Sequence, residues 1–167
     1  MIFFKEYNAK KIKDGDISKS RDRFKNKKNK NLIFLLENRF LWMKKFINNK
    51  KNIIELGSGN GASKEILNNK NIILTDIQEY EWISKKLDMR ELNLGNDYIE
   101  NVDVFIINHA LHHCANPAKL IDKISKYLKK DGLILMNEPE ISFFLKFFQF
   151  ILRDEGWSFK VDIFDRN

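Results

Sequence analysis

Between residues 53 and 139, apolar runs alternate with amphipathic stretches. "NIIEL" (52–56), "NIILTDI" (71–77), "VDVFIINH" (102–109) and "GLILMNEP" (132–139) are short and largely apolar, which predicts strands buried on both faces. "SKEILNN" (63–69) opens a helix. "NPAKLIDKISKYLKK" (116–130) predicts another, with Pro117 in its first turn and Leu120, Ile121, Ile124 and Leu128 on one side. Gly132 follows as its stop signal. "YEWISKKLDM" (80–89) reads as a connection ending in a short strand. Such alternation predicts an α/β fold, a Rossmann-like and mostly parallel sheet with helices on both faces. Ligands of such sheets sit beyond the carboxyl ends of the strands.

The flanks differ. "NLIFLLENRFLWMKKFINN" (31–49) places Leu32, Leu35, Leu36, Phe40, Met43 and Phe46 at helical spacing, so an amphipathic helix is expected, capped by Asn31. Residues 5–30 are polar and basic without a sustained period, and predict a loosely ordered lead-in with one helical turn. The chain is thus read as a basic N-terminal arm and helix over 1–50, a candidate lid, followed by a Rossmann-like domain over 51–167. "ISFFLKFFQFIL" (141–152) is aromatic and predicted helical. Its phenylalanines cover a lipid-linked or aromatic acceptor, touch a membrane surface, or, more commonly, pack into a core or on a neighbour.

Composition sets limits. The chain has 167 residues, 43% of them apolar, enough for one domain with a core. A single cysteine, Cys114, excludes an intrachain disulfide and fits a reducing cytosol, so a cytoplasmic location is expected; Cys114 itself reads as a small buried residue. "MIFFKEYNAKK" shows no secretory h-region, and no apolar run approaches the roughly 20 residues of a membrane span. The net charge of +7 is concentrated at the front: residues 1–50 hold 15 Lys/Arg against 5 Asp/Glu, and the remainder 15 against 18. Such an arm suits an anionic partner (nucleic acid, anionic lipid or an acidic sugar), although lysine-rich faces are more often simply solvated.

The candidate chemistry lies in "IIELGSGNGASKEIL" (53–67), a strand, a run with glycines at 57, 59 and 61, and a helix start. Gly57-x-Gly59-x-x-Ala62 suits a dinucleotide, and Gly57-x-Gly59-x-Gly61 suits S-adenosylmethionine equally well. The neighbouring acids separate the two. Glu55, placed at the mouth of the loop, would repel a pyrophosphate by roughly 3 kcal/mol at about 5 Å and an effective dielectric near 20, and would attract a sulfonium and an ammonium. Asp76 ends the next strand, where a carboxylate accepts from both hydroxyls of a ribose in either ligand. Asp88 suits the exocyclic amine of adenine, with the Met89 N–H reaching a ring nitrogen; the plainer reading is a surface acid beside Lys85, Lys86 and Arg90. His109, His112 and His113 lie just beyond a strand. As general bases His113 is the first choice and His112 the second, against packing roles for both. No second ligand cluster accompanies them, so no metal is expected. Glu138 either orients an acceptor or caps the next helix.

Together "IIELGSGNGASKEIL", "ILTDIQ", "LDMREL" and "VDVFIINHALHHCANPAKLIDKISKYLKKDGLILMNEP" resemble the successive motifs of class I S-adenosylmethionine-dependent methyltransferases of the type-11 kind, over about half the chain. The resemblance implies S-adenosylmethionine as cofactor. It places Glu55, Gly57, Gly59 and Gly61 at the methionine end, Asp76 at the ribose, Asp88 and Met89 at the adenine and Asn108 beside the cofactor, with Ser58 and Ile77 among the other cofactor-binding residues. The family sheet ends in an antiparallel hairpin, whereas "WSFKVDIF" (157–164) offers one strand at most, so an incomplete hairpin is expected, either as a truncated or minimal version of the fold or with an exposed edge that pairs with a second copy. No Asp/Asn-Pro-Pro-aromatic motif follows the 102–109 strand, which disfavours nucleic-acid bases as substrate. A small molecule, sugar or lipid-linked acceptor is the expected substrate. The alternatives are a non-catalytic cofactor-binding scaffold and a nicotinamide-linked oxidoreductase; Glu55 and the lack of a Tyr-x-x-x-Lys pair oppose the latter.

Overall fold

The computed structural model describes residues 17–140. Five strands form one parallel sheet in the order β3-β2-β1-β4-β5: β1 Ile53–Leu56, β2 Ile72–Asp76, β3 Lys85–Lys86, β4 Val102–Asn108 and β5 Leu128–Asn137. The α/β Rossmann-like fold expected from the alternation is the one observed. The expectations for 141–152 and 157–164, including the incomplete hairpin, lie outside the described residues.

Two apolar clusters cover the two faces, as the strand period of two requires. Ile53, Ile72, Leu74, Val104, Ile106 and Leu135 point to one face, under Phe24, Leu36, Phe40, Met43 and Ile47. These come from helices α1 (Ile17–Lys25), α2 (Lys30–Phe40) and α3 (Lys44–Ile47), joined across a 3-10 turn at Leu41–Met43. The other face sets Ile54, Leu56, Phe105 and Ile107 against Leu120 and Ile124 of α5 (Pro117–Ser125). The crossover from β1 to β2 runs through the short α4 (Ala62–Ile66), and that from β4 to β5 through α5.

Several local expectations are corrected. Residues 17–25 are a nine-residue helix rather than a loose lead-in, anchored by Phe24. Asn29, not Asn31, caps α2, its side chain accepting from the Leu32 N–H. The buried stripe is Leu36, Phe40, Met43 and Ile47, leaving Leu35 and Phe46 exposed. Helix α5 stops at Ser125, and Leu128 already belongs to β5. Gly132 does not end a helix but serves an irregularity in β5, where Leu128 pairs with Val102 and Leu133 with Val104. A Cβ there would lie 2.7 Å from Leu128 Cδ2 and 3.1 Å from the Val102 carbonyl.

Candidate functional site

Strand β1 lies at the centre, with β2 on one side and β4 on the other. The chain winds outward from β1 through β2 to β3, then returns to β4 and β5 on the far side, so β1 and β4 flank the switch point where ligands of such sheets bind. Gly57 to Gly61 continue from β1 at that point. Leu56 pairs with Thr75 and with Ile107, so Asp76 and Asn108 follow on either side of the loop.

The glycines have different reasons. Gly57, Gly59 and Gly61 all have positive φ, of 68°, 50° and 65°, a region that costs residues with a Cβ. A Cβ on Gly57 would stand 2.8 Å from Ala110 Cβ, and one on Gly61 2.9 Å from Trp82 Cδ1. A Cβ on Gly59 would meet nothing within 4 Å. Among the described residues Gly59 therefore faces open space.

The loop is held from below and from the side. Ser58 Oγ accepts from the Thr75 N–H at 3.0 Å, and Thr75 Oγ1 donates to the Glu55 carbonyl at 2.7 Å. Asp76 Oδ2 accepts from the Gly59 N–H at 2.8 Å, and Oδ1 from the Gln78 N–H at 3.0 Å. Ile77, next to it, is half-exposed. Glu55 is buried beneath the loop rather than at its mouth, 2% exposed, with Ser63 Oγ donating to its carboxylate. Burial pushes its pKa up to about 7, against hydrogen bonds from Ser63 and Ser58 that pull it down. Asn108 Oδ1 is buried with no hydrogen-bond partner among the described residues.

Residues not singled out from the sequence complete this side. Trp82 Nε1–H donates to the Gly59 carbonyl at 2.8 Å and stacks on Tyr80 with ring centroids 4.7 Å apart. Arg21 of α1 donates from Nη1 to the Asn60 carbonyl at 2.7 Å and from Nη2 to Glu65 at 2.6 Å, with its guanidinium 5.2 Å from the Trp82 ring centroid. Asn60 Nδ2 donates to Ser20 Oγ at 3.1 Å. The one sequence signal for these was an aromatic pair, Tyr80 and Trp82, at two-residue spacing in a polar connection.

A family profile described as a methyltransferase domain matches residues 22–161. The chain belongs to this family of methyltransferase domains. Neither the curated proteins nor the solved structures gave a significant match.

The opposite rim of the methyltransferase domain carries the histidines. His109 follows β4 at φ 51° and donates its N–H to the Asn137 carbonyl at 2.8 Å. Burial, with Arg39 nearby, holds its pKa below the ordinary value. His112 and His113 share a 3-10 turn, Leu111–His113, with ring centroids 4.1 Å apart. Glu138, at the end of β5, accepts from the Ala110 and Leu111 N–H groups at 2.9 and 2.8 Å and meets His112 Nδ1 at 2.6 Å. It thus caps the turn Leu111–His113; the helix expected after it lies outside the described residues. Burial raises the Glu138 pKa, but these three bonds outweigh it and hold the carboxyl below its usual range.

Asp88 sits farther out. It caps the 3-10 turn Met89–Glu91 and pairs with Arg90 at 2.6 Å, whose hydrogen bonds lower its pKa. Met89 is partly buried against the α5-side core. Cys114 is half-buried on the same side, not fully buried. No cluster of metal-ligating side chains occurs among the described residues.

Proposed function

We propose that this methyltransferase domain uses S-adenosylmethionine and passes its methyl group to a small-molecule, sugar or lipid-linked acceptor. The observation that carries the choice of cofactor is the Asn108 acceptor, buried beside the glycine loop and unpartnered among the described residues. A buried acceptor lacking a donor is costly. It suits a ligand that brings N–H groups and positive charge, and it opposes a pyrophosphate, as does the acid of Glu55 under the same loop.

In this reading Glu55, Gly57, Ser58, Gly59, Gly61 and Asn108 hold the methionine end. Asp76 keeps lone pairs for the ribose diol after bonding the Gly59 and Gln78 N–H groups. Ile77 offers an apolar side chain to the adenine face, and Asp88 with Met89 its edge. When bound, S-adenosylmethionine supplies a methyl group already activated for in-line displacement. The protein's share is to position the acceptor and to exclude water.

A base is needed only for a hydroxyl or a protonated amine. Of the two candidate histidines, His112 has the better-built setting. Ionised Glu138 accepts a hydrogen bond from Nδ1–H, which leaves Nε2 as the ring's acceptor. His113 packs beside it, ring centroids 4.1 Å apart.

The test is turnover of methyl-labelled S-adenosylmethionine against pooled cell extract, with wild type and His112→Ala. Label should move to an extract component, and kcat should fall about 10²-fold or more in the variant. Binding of S-adenosylhomocysteine with no labelled acceptor would favour the scaffold reading instead.

A further inference from the structure

Helix α2 and its continuation through α3 are apolar on two sides. The inner stripe, Leu36, Phe40, Met43 and Ile47, is buried. At 100° per residue these cluster on one side of the wheel, and Phe34, Leu35, Leu41, Trp42 and Phe46 fall on the other. The structure exposes all five, with Phe34 at 65% and Leu35 at 54%. Nine large apolar side chains are exposed among the described residues, so more than half of them lie within this one short stretch. A patch this concentrated marks an interaction surface.

Its surroundings are cationic. Residues 17–50 carry eleven Lys/Arg and two Asp/Glu. Lys27, Lys28 and Lys30 are exposed at the start of α2, and Lys44 and Lys45 at its far end. Lys45 Nζ lies 4.8 Å from the Phe46 ring centroid, and Trp42 meets Phe46 edge-on at 6.0 Å. Aromatic and aliphatic side chains ringed by lysines are the chemistry of a helix lying in the headgroup layer of an anionic bilayer. Among the described residues no helix is long and apolar enough to cross one.

We propose that the outer face of residues 34–46 docks on an anionic phospholipid surface, with Phe34, Leu41, Trp42 and Phe46 entering the interface and the flanking lysines meeting lipid phosphates. The same helix borders the site: Arg39 is close enough to His109 to help lower its pKa. Docking would therefore bring the cleft's rim near the membrane. The proposal stands on the exposed face and its charge, not on the methyl-transfer reading.

The test uses the full chain and sedimentation with vesicles of phosphatidylcholine alone or with 30% phosphatidylglycerol. The expected result is binding to the anionic vesicles only, weakened at least tenfold by 0.5 M salt. Phe34→Ser/Trp42→Ser and Lys44→Glu/Lys45→Glu should each weaken it at least tenfold, with unchanged circular dichroism and an unchanged S-adenosylhomocysteine titration. Retained binding in both variants would overturn the proposal by placing the lipid contact elsewhere, such as the phenylalanines of 141–152. Failure of wild type to sediment would also overturn it. So would a dimer in lipid-free solution that Phe34→Ser/Trp42→Ser dissolves, since a second copy would then own the face.

Discussion

At residue scale, the three glycines separate stability from binding. Gly57→Ala adds a positive-φ strain and a Cβ 2.8 Å from Ala110 Cβ, so it should destabilise the fold by about 2–4 kcal/mol in denaturant unfolding. Gly59→Ala meets no atom within 4 Å and should cost about 1–2 kcal/mol, yet weaken S-adenosylhomocysteine at least as much as Gly57→Ala does. Glu55 gives a pH signature. Its carboxyl is neutral in both folded and unfolded chains below about pH 4.5 and charged in both above about pH 7. Since the folded value is the raised one, its contribution is complete below pH 4.5 and is lost as pH climbs through 7, by about 3 kcal/mol in all. Glu55→Gln should flatten that slope in urea melts at pH 5 and pH 8, and should weaken a cationic ligand.

Elements show where the sequence was readable and where it was not. The strands 53–56, 72–76 and 102–108 emerge close to their expected bounds because each is an apolar run too short for anything else. Helix α1 was hidden: its nine residues bury only Phe24, and it is held by Arg21 reaching Asn60 of the loop and by Arg21 and Lys25 reaching Glu65 of α4, some forty residues away. A periodic signal cannot report a charged contact of that range. Likewise the stripe on α2 was assigned partly to the wrong side, since both sides are apolar and only packing chooses between them. The Glu138 cap was ambiguous because its partners lie 27 and 28 residues upstream. Two outcomes follow at this scale. Arg21→Ala should speed amide exchange across 17–25 well before that of β1 and β4. Glu138→Gln should cost about 1–2 kcal/mol, with a loss of kcat that exceeds any change in KM because His112 is left unoriented.

On the scale of the whole molecule, one parallel sheet brings the glycine loop, Asp76 and Asn108 together at the carboxyl ends of β1, β2 and β4, with Asp88 beyond β3 and Glu138 beyond β5. That much was legible, since four motifs in one order and spacing are far more specific than a glycine run alone. The acids were legible by type but not by setting: Glu55 was expected at the mouth of the loop and lies buried under it on Ser63, a contact eight residues distant that follows from how α4 packs. A bound ligand should stabilise the whole sheet together, by about 2.7 kcal/mol at a hundredfold excess over Kd. The most direct measurement is calorimetric titration of the full chain with S-adenosylhomocysteine and, separately, with NADH. Saturable binding of the first alone is expected, weakened roughly 10- to 100-fold by Asp76→Ala. Binding of NADH in its place, or an affinity for S-adenosylhomocysteine that Asp76→Ala leaves unchanged, would contradict the account.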